Sequence, residues 1–289
     1  MKLVRFNEGR IGVLKEGKVH DATSALGLDP AEWPPVGMNR LIANFGRHKA
    51  ALEAAVQAAG VPVESVKLLT PVPWPNKVLA YPVNYLAHGE EMKSKNRANL
   101  NGFFLKSSAS VAGPADAIVL PDLPSREIHH EAELAIVIGR TARHVSIDAA
   151  RECIFGYACL LDITVRGSEE RVMRKSYDTF CPVGPWLVTA DEVPDPDRLD
   201  MKLWVNGDLR QSANTRDLLV DIPSMISIAA SVTTLYPGDI IATGTPAGVG
   251  PIRAGDSVKI EIDGVGSMNV PVVQGEGGYN IALRKEPRS

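Results

Sequence analysis

The chain has 289 residues, 45% of them hydrophobic and 22% charged, with a formal net charge of -3. That leaves no basic surplus for nucleic acid or an anionic membrane, and no stretch reaches the ~20 apolar residues of a membrane span. MKLVRFNEGRIGV carries no long apolar run after its lysine, so a cytoplasmic globular protein with ample core is expected.

The chain opens with strand-like MKLVRF, a turn at NEGR, strand-like IGVLKEG and then KVHDAT, which together predict a meander. From Asn39 to Ala59 the apolar positions Leu41, Ile42, Phe45, Leu52, Val56 and Ala59 fall near helical spacing, and Gly60 is a natural stop. Pro71, Pro73 and Pro75 then crowd five residues, too many for a helix or a central strand. A domain boundary is placed there, giving a small α+β domain over 1–70 and a larger one over 71–289.

Beyond the boundary come short strand-like runs: AIVL near 117, EAELAIVIG, FGYACLLDITV, PWLVTA, KLWVNGDLRQ, DIIATG and SVKIEIDGVGSMNVPVV. Helical patterns are few, chiefly Ser146 to Ile154 and Pro223 to Leu235, so a mainly β fold with α+β elements is expected and a regular βαβ alternation is not. Cys153, Cys159 and Cys181 form neither an even disulfide set nor a C-x-x-C pattern and read as core thiols.

Within these strands a few charges stand where apolar surroundings would normally exclude them. In HHEAELAIVIG, strand alternation puts Glu131, Glu133, Ala135 and Val137 on one face. A solvated strand face gives the same alternation, but Asp162, the single charge in FGYACLLDITV, supplies a third carboxylate in an apolar run. Three oxygen ligands suit Mg²⁺, with Mn²⁺ or Ca²⁺ as alternatives. Zinc would draw on His129 and His130, of which only His129 shares the glutamate parity.

Three further stretches carry groups able to act on a substrate at such a site. His88 and Glu91 in VNYLAHGEEM lie one helical turn apart, a spacing that lets the carboxylate orient the imidazole as a general base for water. Arg166 and Lys175 follow Asp162 closely enough to stabilise developing negative charge. Thr243-Gly244-Thr245-Pro246 offers hydroxyls and backbone N–H groups to a carboxylate or an enolate oxygen.

The order NYxxHxxE, FFxK, ExELAIVIG, GYxxxxDxT, KxYDTFCPxGPW, VNGxxRQxxNT and PGDIIATGTPAGVG, over nearly all of residues 75 to 275, resembles the fumarylacetoacetate hydrolase (FAH) family. The resemblance implies an FAH-type mixed β-sandwich roll bearing the active site, a divalent metal, commonly Mg²⁺, and a homodimer. By position it implies metal ligands Glu131, Glu133 and Asp162, a His88–Glu91 pair on a lid segment, and Lys175 as the cation stabilising an oxyanion or enolate. It also implies Thr245 as the hydroxyl holding a substrate carboxylate or oxo group, with Tyr85, Lys106 and Arg166 facing the substrate.

The sequence departs from the family's usual NDxxARDxQ after the third ligand's strand, reading LDITVRGSE: Leu161 stands for Asn, Gly167 for Asp and Glu169 for Gln. An ionised glutamate only accepts hydrogen bonds, so Glu169 is expected to present a different field to the substrate. The expected reaction is hydrolysis of a C–C bond in a small 2,4-dioxo acid of the acylpyruvate or fumarylpyruvate kind, produced in aromatic catabolism. The alternative is decarboxylation or isomerisation of a hydroxymuconate-derived acid, or oxaloacetate decarboxylation, through the same enolate chemistry.

Overall fold

All seven residues of strand Ala132–Ile138 are buried, because both faces of this strand are covered. In the computed structural model, which describes residues 1–95, 97–123 and 125–277, this strand lies between Ile154–Leu161 and Ile240–Ala242 in a twelve-stranded sheet. One face packs Leu134, Ile136, Cys159 and Leu161 against the helix Ile222–Val232 and against Leu203, Ile260 and Val270 of a second, five-stranded sheet. The other packs Ala135, Val137, Ala158 and Leu160 against Met38, Leu41, Ile42 and Leu52 of the N-terminal helices. Double coverage explains the nearly unbroken apolar sequence.

The five-stranded sheet covers one face only. Ser257–Ile262 alternates between buried and partly exposed positions, as expected for a half-solvated antiparallel strand. Its neighbours include the hairpin Asp200–Val205/Asp208–Asn214, closed by Asn206 and Gly207 with φ of 53° and 88°. The mainly β fold with α+β elements expected from the sequence is the fold observed, and among the described residues no helix is long and apolar enough to cross a membrane.

Two sequence readings differ from the structure. The helix expected over Asn39 to Ala59 is two helices, Gly37–Ala43 and Phe45–Ala55. They part at Asn44 (φ -122°), whose side-chain amide donates to the Arg40 carbonyl at 3.0 Å, local competition of the kind that makes asparagine a poor interior helix residue. The sheet also crosses the boundary placed at residue 70. Lys2–Phe6 pairs antiparallel with Cys181–Thr189, Leu3 opposite Leu187, and the N-terminal helices share a core with the central strands.

A third, three-stranded sheet positions the site. It joins Thr164–Val165, Ile128–His130 and Gly250–Pro251. Two antiparallel strands of the large sheet continue into it, and both change sheets at an acidic residue. Glu131 lies between Ile128–His130 and Ala132–Ile138, and Asp162 between Ile154–Leu161 and Thr164–Val165. The Asp162 N–H donates to the Glu131 carbonyl at 2.9 Å, so the two breaks lie side by side.

Candidate active site

Where the strands change sheets, alternation brings Glu131, Glu133 and Asp162 to one wall, with ligand oxygens within 4.8 Å of one another and all three residues buried. They border a cavity of about 410 Å³, also lined by His88, Phe104, Arg166, Arg171, Arg174, Lys175 and Thr245. The sequence pattern thus assembles in three dimensions. His129 and His130 do not join it: His129 pairs with Glu127 at 2.9 Å and His130 with Gln211 at 3.2 Å.

Each carboxylate has a different environment. Lys175 Nζ donates to Glu131 at 2.7 Å, to Asp162 at 2.6 Å and to the Thr164 hydroxyl at 2.6 Å, while Lys106 Nζ donates to the other Asp162 oxygen. Burial alone would raise the Glu131 pKa, but the Lys175 and Arg166 cations outweigh it and hold it at about 2. Burial likewise opposes the Lys175 charge, yet Asp162, Glu131 and Glu133 keep its pKa above the ordinary lysine value. Glu133 is pushed well above the usual carboxylate range, by burial first and then by Asp162.

Among the described residues Glu133 receives one hydrogen bond, from the Gly244 N–H at 2.7 Å. Such a group calls for a cation. Three convergent buried carboxylates, one of them short of positive charge, form a donor set that fits a hard divalent ion.

The turn after Ile240–Ala242 supports this set. Gly244 has φ 95°, and a Cβ there would stand 2.6 Å from Asn84 Cβ and 2.8 Å from the Tyr81 carbonyl, so only glycine brings this N–H so close to Glu133. Asn84 fixes the turn from behind, donating to the Thr243 carbonyl at 2.8 Å. The Thr245 hydroxyl lines the cavity and accepts from Gln211 Nε2 at 2.8 Å. Gln211 also receives the Ala132 N–H at 3.0 Å, tying the five-stranded sheet to the acidic strand.

Across the cavity, the helix Leu86–Glu91 presents His88. Its Nδ1 lies 3.2 Å from a Glu91 oxygen, and the other oxygen of Glu91 accepts the Gly248 N–H at 3.0 Å. With Nδ1–H directed at the carboxylate, Nε2 is the lone-pair nitrogen.

Three residues expected to face the substrate do not line the cavity. Lys106 is buried behind Asp162, bonded to it and, at 2.9 Å, to the Phe180 carbonyl. Tyr85 is buried with its hydroxyl unpartnered, and its pKa is raised by burial and by Glu133. Glu169 is clamped to Arg126 through two hydrogen bonds of 2.7 Å each.

That clamp accounts for two of the departures together. A Cβ on residue 167 would stand 1.7 Å from Arg126 Nη2 and 2.4 Å from Glu169 Oε2, so Gly167 makes the room that the Arg126–Glu169 pair fills. The third departure, Leu161, faces the apolar core on the side of the sheet away from the acids. Of the segment LDITVRGSE, only Asp162, Arg166 and Gly167 reach the cavity.

Sequence reasoning gave no role to Arg171, Arg174, Thr164, Asn84 or Gln211, although the last three stand in the matched motifs. RVMRK, with three cations in five residues, was a visible signal for the arginines. For Gln211 the signal was its place in VNGxxRQxxNT, and the structure adds that it is a buried amide between exposed neighbours in Asp208–Asn214.

A buried three-carboxylate site facing a His–Glu pair across a cavity rich in cations, on a mixed β roll, is the arrangement of a metal-dependent enzyme. The chain belongs to the fumarylacetoacetate hydrolase family: residues 77–273 match the fumarylacetoacetate (FAA) hydrolase C-terminal family. It is 41% identical over 285 residues to a maleylpyruvate hydrolase of Aquipseudomonas alcaligenes, covering 94% of this chain and 99% of that one. The crystal structure of maleylpyruvate hydrolase from Sphingobium sp. SYK-6 with manganese(II) and pyruvate is 57% identical, with a TM-score of 0.89 over 96% of this chain and 100% of that one. A 2-hydroxyhepta-2,4-diene-1,7-dioate isomerase from Mycobacterium marinum is 38% identical, with a TM-score of 0.66 over 75% of this chain and 81% of that one.

Proposed function

We propose that the chain is a divalent-metal-dependent hydrolase that cleaves a C–C bond in a 2,4-dioxo acid of the acylpyruvate type formed in aromatic catabolism, with maleylpyruvate and fumarylpyruvate as first candidates. The observation that carries the reading is the His88–Glu91 pair facing Glu131, Glu133, Asp162 and Lys175 across one cavity. The pyruvate bound in the Sphingobium maleylpyruvate hydrolase is the product that such a cleavage would release.

A divalent ion, Mg²⁺ or Mn²⁺, held by Glu131, Glu133 and Asp162 would supply Lewis-acid polarisation of the 2-oxo acid head. His88, oriented by Glu91, takes a proton from water at Nε2 as the water oxygen adds to the 4-carbonyl. The C3–C4 bond then breaks, its electron pair passing to the pyruvate enolate, which takes the proton from His88 at C3 and leaves as pyruvate while the acyl group leaves as its carboxylic acid. Lys175 is charged and fixed beside Glu131 and Asp162, where it offsets this charge as it develops. Thr245 holds an oxygen of the acid head, its hydroxyl oriented by Gln211. The reading includes a homodimer, checked by the mass of the particle in solution.

His88→Ala is expected to lower kcat for acylpyruvate hydrolysis by about 10²- to 10⁴-fold while Mn²⁺ binding, measured by calorimetry, is retained. Undiminished hydrolysis in that variant would remove His88 from the mechanism. The isomerase relative favours a second reading, in which the same site stabilises an enolate without attacking water. In that case His88→Ala would spare ketonisation of a 2-hydroxydienoate or decarboxylation of oxaloacetate, and the wild type would not hydrolyse acylpyruvates.

A further inference from the structure

Residues 166–170 belong to no helix or strand, yet they carry Arg166 into the cavity wall and lead to the short helix Arg171–Arg174. A side chain on an irregular segment is placed only as well as its backbone is held. Here two guanidinium groups hold it. Arg126 sits inside the bend: its Nε donates to the Arg166 carbonyl at 2.7 Å, and its two Nη groups donate to the two Glu169 oxygens, each at 2.7 Å. Arg174 ties the ends of the bend together, donating to the carbonyls of Glu169 at 2.8 Å and Val165 at 3.1 Å. The Arg166 N–H donates to the Glu127 carbonyl at 2.8 Å, so both backbone groups of Arg166 are bound by the adjacent residues 126 and 127.

The tip of Arg166 is held far less. Among the described residues its guanidinium makes one hydrogen bond, to Glu131 at 3.1 Å, and its Nε is buried without a partner. The place of this charge beside the acidic site is therefore set from the backbone end. We infer that Arg126, which does not line the cavity, is a positioning residue: clamped by Glu169, it fixes the bend that holds the Arg166 guanidinium against the bound anion. The planar fork suits the task, because its N–H groups span from residue 166 to residue 169, and a lysine ammonium has no such reach. Gly167 belongs to the same device, since a side chain there would strike the fork. The inference rests on the proposed function for the anion that Arg166 meets.

The test is calorimetry of Mn²⁺ binding, then of pyruvate binding to the Mn²⁺-loaded protein, with Tm as the check on folding. Arg126→Gln is expected to weaken pyruvate about 5- to 30-fold, part of the worth of a charge-assisted hydrogen bond. Mn²⁺ affinity should not fall, because an Arg166 drawn back from Glu131 competes less with the ion. Arg126→Lys should behave like Arg126→Gln, and in an Arg166→Gln background Arg126→Gln should cost less than about twofold. Unchanged pyruvate affinity, a parallel loss of Mn²⁺ affinity, full rescue by lysine, or an equal loss in both backgrounds overturns the inference. Acylpyruvate turnover by the wild type is measured separately. The expected binding pattern without any hydrolysis would sink the proposed reaction and leave the role of Arg126 standing, whereas hydrolysis with pyruvate binding indifferent to Arg126→Gln would do the reverse.

Discussion

Glu169, expected from the sequence to face the substrate, is paired with Arg126 outside the cavity lining. Its carboxyl is held at about 2, first by the hydrogen bonds from Arg126, against an ordinary value of 4.5. Because the folded-state value is depressed, the pair's stabilisation is complete above pH 4.5 and is lost as pH falls toward 2. The pair is partly exposed and screened by solvent, so its worth is about 0.5–1 kcal/mol rather than what the shift alone implies. In urea unfolding, Glu169→Gln should be less stable than wild type by that amount at pH 7, with the gap narrowing at pH 3.5. A gap independent of pH would mean that the pair is not its source. The sequence revealed the changed residues 161, 167 and 169, but not that Arg126, more than forty positions upstream, takes the space beside two of them.

Among elements, the turn carrying Gly244 joins local backbone geometry to the acidic site. Gly244→Ala forces a Cβ against Asn84 and the Tyr81 carbonyl at a positive φ, which should cost about 2 kcal/mol or more and displace the N–H that holds Glu133. The expected outcome is a lower Tm together with weaker Mn²⁺ affinity; a variant matching wild type in both would show that the turn does not set Glu133. The acidic strands were legible because charge interrupts their apolar runs. The division of one periodic stretch into Gly37–Ala43 and Phe45–Ala55 was not, since periodicity is blind to a side chain that competes for its own helix's carbonyl. Nor could alternation alone reveal that Glu131 and Asp162 mark the points where two strands leave one sheet for another.

At the scale of the whole molecule, the first seventy residues share a sheet and a core with the rest of the chain. Leu3 is fully buried in the core that also holds Ala135, Val137 and Leu187. Leu3→Ala should therefore destabilise the protein by about 2–5 kcal/mol, the range for a buried leucine truncated to alanine, as read from the urea midpoint. A loss under 1 kcal/mol would mean that the strand contributes little. The sequence pointed to the boundary through three prolines, but a sheet that re-joins across such a segment leaves no local trace.

The pairing of Leu3 with Leu187 also sets a timetable. At a synthesis rate of about 5–20 residues per second, the first strand waits roughly 10–40 s for the strand that completes it. During that interval the meander has an open edge able to pair with another chain.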